Sequence, residues 1–160
     1  MDRRTFIFVV PLFAAIFMVP FTQGCHKETE EDKVKKVIIS VQKAAEEKDI
    51  KEVLSHLSRT YRDPQGNDYE GVKGLLLFYF FRHQKVSIFI PDLEIRVSDS
   101  AAAAKFQAVL SGRNQGVGNI LPESLGVYVF DVSFMKESGE WKITSAKWER
   151  FSESLPEAPK

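Results

Sequence analysis

The spacing of hydrophobic and polar positions changes along this chain, and each change marks a new element. Between residues 30 and 48, Val34, Val37, Ile38, Val41, Ala44 and Ala45 recur at intervals of three and four, which lines one side of an α-helix. Thr29 and Asp32 at its start have the form of a capping box, in which each side chain accepts the other's amide. Asp49 restarts the pattern. Ile50, Val53, Leu54 and Leu57 share a face and Glu52 follows the acidic cap by three residues, so a short second helix is predicted at an angle to the first. Residues 59 to 71, RTYRDPQGNDYEG, carry Asp-Pro, Gln-Gly and Asn-Asp and predict a loop. A third helix is predicted over 71 to 84. Its LLLFYFF run is apolar nearly all round, which predicts a core helix buried on more than one side.

From residue 85 the period falls to two. Strands are predicted over 85 to 97, 101 to 111, 126 to 136 and 140 to 150, the last two joined by KESGE with Gly139 in the turn. In AAAAKFQAVLS, Ala104, Phe106, Ala108 and Leu110 point one way and Lys105, Gln107 and Ser111 the other. In GVYVFDVSFMK, one face holds Tyr128, Phe130, Val132 and Phe134 and the other Val127, Val129, Asp131, Ser133 and Met135. Both are mostly apolar, which predicts a central strand. In EWKITSAKWER the apolar set switches from Trp141 and Ile143 to Ala146 and Trp148, which a regular strand cannot do without a bulge. The pattern predicts an α+β fold, with three N-terminal helices packed in a strongly curved antiparallel sheet of about four to six strands.

Ahead of these elements, MDRR is followed by an apolar run from Phe6 to Phe21 that contains Pro11 and Pro20, the layout of a secretory signal peptide and short for a spanning helix. The run closes on TQGC, and a cysteine after a small residue in that place resembles a bacterial lipoprotein processing site. Thr22 and Gln23 depart from the usual pattern. The resemblance implies cleavage before Cys25, a lipid on its thiol and export to a bacterial membrane, with His26 favouring the outer membrane. A free thiol beside an uncleaved anchor is the alternative. Four segments follow: a signal peptide over 1–24, the lipidated cysteine and a polar tether over 25–31, a domain over 32–150 and a loose tail over 151–160. Acylation would use the only thiol and leave none for a disulfide. The chain has 22 basic and 22 acidic residues, and loss of Arg3, Arg4 and Asp2 leaves 20 against 21. Nucleic acid, which needs a concentrated basic face, is not an expected partner.

Three helices before a bent sheet, the KD joint at Lys48-Asp49, the YRDPQG loop and the closing SGEWKITSAKWER hairpin resemble the nuclear transport factor 2-like superfamily. That superfamily includes ketosteroid isomerases, scytalone dehydratase and SnoaL-like cyclases. The resemblance implies a cone in which the sheet wraps the first helix around a pocket, lined here by Val41, Tyr61, Phe80, Phe106, Val129 and Trp141. It also implies two candidate catalytic carboxylates. Asp63, before Pro64-Gln65-Gly66, matches the isomerases' general base, and Asp131, eight residues before Gly139, matches their protonated oxyanion donor. Flanked by Val127, Val129 and Met135, Asp131 would then have its pKa raised by desolvation. The isomerases' tyrosine from the first helix has no counterpart, since Ile39 to Val41 offers only Ser40, which leaves Tyr61 and Tyr69 as substitutes. The structural alternatives are a turn-forming Asp63 and a buried Asp131 paired with Arg82 or Arg113. His26, His56 and His83 are scattered, so neither a metal site nor a cofactor is expected. The leading expectation is a lipid-anchored, non-catalytic binding module for a small apolar ligand. An acid/base isomerase or lyase on an apolar carbonyl compound, and a homodimer through the Tyr128, Phe130 and Phe134 face, are the alternatives.

Overall fold

The capping box forms as its residues require: Thr29 Oγ1 accepts the Asp32 amide at 3.1 Å and the Asp32 carboxylate accepts the Thr29 amide at 3.0 Å. Helix α1 therefore runs Glu30–Glu47 in the computed structural model, which describes residues 27–114 and 123–151. It stops at Lys48, which turns left-handed (φ 60°) and returns its N–H to the carbonyls of Ala44 and Ala45. Asp49 caps α2, Ile50–Ser55, by accepting the Glu52 amide at 2.9 Å. Asp68 caps α3, Tyr69–Arg82, through the Gly71 amide. The Lys48 ammonium donates to the carbonyls of Phe80 and His83, tying the end of α3 to the end of α1.

Five antiparallel strands follow: β1 His83–Phe89, β2 Leu93–Ser98, β3 Ala101–Asn114, β4 Glu123–Glu137 and β5 Glu140–Arg150. The order is β1-β3-β4-β5, and β2 shares an edge of β3 with β1. The single strand predicted over 85 to 97 is thus two. Pro91 has no amide for a ladder, and the Asp92 carboxylate takes the Leu93 amide at 2.9 Å to start the second piece. The predicted bulge is present. Ser133 pairs with Ser145 but Phe134 pairs with Ile143, which leaves Thr144 over and lets Ile143 and Ala146 both face inward. The strongly curled sheet wraps the helices, and Val34, Ile38, Val53, Leu54 and Leu57 pack on Ala102, Ala104, Val132, Phe134, Trp141 and Ile143. Ala102 and Ala104 keep the middle of the concave face short enough for α1 and α2 to approach.

Two expectations need correction. Helix α3 is not a core helix, for none of its residues is buried and Phe81 is 83% exposed. Only Tyr69, Val72 and Leu76 reach the core, because a helix apolar all round still has one neighbouring layer here. The Tyr128, Phe130 and Phe134 face offered for a homodimer is the concave, inner face, so it cannot meet a second sheet. The predicted signal peptide, Cys25, His26 and residues 152–160 lie outside the described residues. Among the described residues no helix is long and apolar enough to cross a membrane.

Glu30 fastens α1 to the final hairpin. Its carboxylate accepts from Lys33 Nζ at 2.8 Å, Lys136 Nζ at 2.9 Å and Trp141 Nε1 at 2.8 Å. Those donors, Lys33 first, hold its pKa down to about 2 from 4.5. A depressed carboxylate pKa adds stability above the unfolded value that is lost as pH falls through the folded one. The melting temperature of Glu30→Gln is therefore expected to lie a few degrees below the parent's at pH 7, with the gap closing between pH 4.5 and about 2. Thermal melts across that range check it.

Candidate functional site

Register places Leu93, Phe106, Phe130 and Trp148 in one row across β2, β3, β4 and β5, all on the concave face. Phe106 and Phe130 stack with centroids 5.2 Å apart and planes 10° from parallel. All four are half-buried. One row further in, Ala104 and Val132 are sealed under the helices, and Ala108 on the other side of Phe106 is buried too, so the aromatic row is a half-covered margin of an otherwise packed face. Phe80, on the inner side of α3, and Val41, on α1, are half-buried too. Of the pocket residues the sequence predicts, these two and Phe106 lie at that margin. Tyr61 and Trp141, each 3% exposed, belong to the closed core.

Val129 is misplaced by the sequence expectation. With Phe130 and Val132 pointing inward, strand alternation turns Val129 to the convex face, where it is 40% exposed. Asp131 follows it. Its carboxylate is about half exposed and meets Lys105 Nζ at 3.2 Å, with Lys147 its partner across the other ladder. In place of an apolar enclosure this carboxyl has solvent and an ammonium beside it, and its ion pair is with Lys105 and not with Arg82.

Asp63 is buried in the loop between α2 and α3. Oδ1 accepts the Asn67 amide at 2.8 Å and Oδ2 accepts from Asn67 Nδ2 at 2.9 Å and from the Tyr61 hydroxyl at 3.1 Å. The Gly66 amide returns to the Asp63 carbonyl, with Gly66 at φ 90°, a value that favours glycine. Burial, then the charge of Asp63, then this hydrogen bond push the Tyr61 hydroxyl well above the usual phenol range, so it stays a donor committed to Asp63. The two carboxylates are not brought together. One ties a turn, and the other stands on the far side of the sheet.

Outside the cone, a cleft of about 470 Å³ lies between the same loop and α3. Arg59, whose guanidinium sits 4.4 Å over the Tyr69 ring, and Arg62 line it together with Asp68 and Glu70. Its charges balance within the wall. Sequence reasoning also missed the setting of His83, which is buried at the joint of α3 and β1, stacks on Tyr79 and has no partner for Nδ1 among the described residues. Among the described residues no three His, Cys, Asp or Glu side chains are grouped to hold a metal ion.

No protein-family model matches the chain, and no curated protein does. Solved structures do match. A nuclear transport factor 2-like superfamily protein from Salmonella enterica aligns with a TM-score of 0.67 at 12% identity, over 81% of this chain and 96% of that one. A candidate dehydratase of the same family from Streptomyces avermitilis gives 0.63 at 12% identity, over 76% and 96%. A Bdellovibrio bacteriovorus protein gives 0.63 at 13% identity over 76% of this chain, which spans only 40% of its length. The chain has the cone-shaped, cystatin-like fold of nuclear transport factor 2-like proteins.

Proposed function

We propose that this protein is a non-catalytic binding module, exported and held at a bacterial membrane through Cys25, that takes a small apolar ligand against the aromatic row at the open side of the cone. The observation that carries the reading is the Phe106–Phe130 stack, which continues into Leu93 and Trp148 and is left half-buried although the interior beside it is closed. Flat, half-covered aromatic surface binds apolar rings and chains through area and stacking and needs few polar anchors. The acid/base alternative lacks its machinery: Asp63 is saturated by Tyr61 and Asn67, and Asp131 faces away. Likeness to a candidate dehydratase at 12% identity extends to the fold.

Native mass spectrometry of the gently purified protein, against its denatured mass, tests the reading. A small molecule that leaves on denaturation is expected, and quenching or blue-shift of Trp148 fluorescence on adding that molecule back places it at the row. Phe106→Ser is expected to weaken its binding about tenfold, the loss of one stacking partner and its area. A bare mass, or binding that Phe106→Ser leaves unchanged, would sink the idea.

A further inference from the structure

Independently of the aromatic row, we propose that the outer face of α3 is a self-complementary surface on which a second copy of this chain docks, helix against helix and antiparallel. The residues that reach the core are Tyr69, Val72 and Leu76, so the opposite side of the helix presents Glu70, Gly71, Gly74, Phe78, Phe81 and Arg82. Phe78 is 54% and Phe81 83% exposed, and the Arg82 guanidinium lies 5.2 Å over the Phe78 ring on that same side.

Gly74 points to close approach by another backbone. It sits mid-helix at a cost of about 0.8–1 kcal/mol against alanine. A Cβ built there would meet nothing within 4 Å, so packing within the chain does not require the glycine. A two-fold axis through position 76 of paired, antiparallel α3 helices sets Phe78 of one copy over Gly74 of the other, Phe81 over Gly71 and Arg82 beside Glu70. Phe78 then meets the open Gly74 position, and Phe81 lies against Gly71 and the Asn67 side chain beside it. The acidic first turn meets the basic last turn, and the two helix dipoles oppose favourably. Glu70 meets Lys73 at 3.3 Å in an exposed ion pair, which a partner's arginine can replace. This match in size and charge favours a second copy over a lipid surface, which would gain nothing from a glycine.

Sedimentation velocity on the purified intact chain, in a non-ionic detergent, tests the assignment. A dimer is expected that Phe81→Asp and Gly74→Leu each convert to monomer. Both positions are open to solvent, so both variants should fold. Glu70→Arg and Arg82→Glu alone are expected to weaken the dimer about tenfold each, and the double swap to restore it. A monomeric parent at about 0.1 mM, a dimer that survives Gly74→Leu, or a double swap as weak as the singles overturns the proposal. So does flotation of the parent with phosphatidylglycerol vesicles that Gly74→Leu strengthens, for a membrane would welcome the added leucine where a partner helix rejects it.

Discussion

Phe134→Ala is expected to destabilise the protein by about 3–5 kcal/mol, while Phe81→Ala changes its stability by no more than about 0.5 kcal/mol. The two residues are chemically identical and differ in what surrounds them. Phe134 is 1% exposed, between the helices and the bulged β4–β5 ladder, and its loss opens a cavity that Ala102, Val34 and Ile143 cannot fill without moving backbone. Phe81 is 83% exposed and leaves nothing behind when truncated. Urea unfolding of the parent and the two variants, under conditions where the chain is monomeric, measures both. A Phe81→Ala loss of several kcal/mol would mean that α3 folds back onto the domain.

Asp63→Ala is expected to cost about 2–4 kcal/mol, because it strands the buried Tyr61 hydroxyl and the Asn67 amide, each worth about 1–3 kcal/mol when left unpaired. Adding Tyr61→Phe removes one stranded donor, so the double variant should be less destabilised than the two single changes summed, a positive coupling visible in a double-mutant cycle. Asp63→Asn keeps one acceptor oxygen for the Asn67 amide and turns an Nδ2 donor toward the Tyr61 hydroxyl, which can accept it, so it should cost less. All three should leave affinity for an apolar ligand at the Phe106 row unchanged, since Asp63 stands in a loop and not at the row. A catalytic base would behave in the opposite way, with Asp63→Asn nearly as stable as the parent yet without turnover.

Local chemistry was legible residue by residue. The Thr29–Asp32 box, the Asp49 cap, the inward set Ala104, Phe106 and Ala108 and the bulge in EWKITSAKWER depend on neighbours within a few residues, and each is found where the sequence puts it. The aromatic row was half legible, since Phe106 was identified as lining the pocket while Phe130 was assigned to a face offered for a homodimer. The turn role of Asp63 was also readable as an alternative, because Asp before Pro-x-Gly favours its own backbone.

Where two patterns were equally apolar, only the tertiary structure could decide. Both faces of β4 carry valine and aromatic or sulfur side chains, so alternation separated Asp131 from Phe130 without saying which set meets the helices. The bulge and the sheet's curl settled that, and sent Asp131 and Val129 outward. In the same way LLLFYFF has no polar side to mark solvent, and α3 touches one layer, so its aromatic outer face came from topology and not from periodicity. The sequence by itself determined the elements, their caps and which side chains share a face, because those follow from short-range sterics and hydrogen bonding. Which face is buried, and therefore which residues remain free to bind, was decided only by the packing of layers, because burial depends on what lies opposite, and that is brought there by residues distant along the chain.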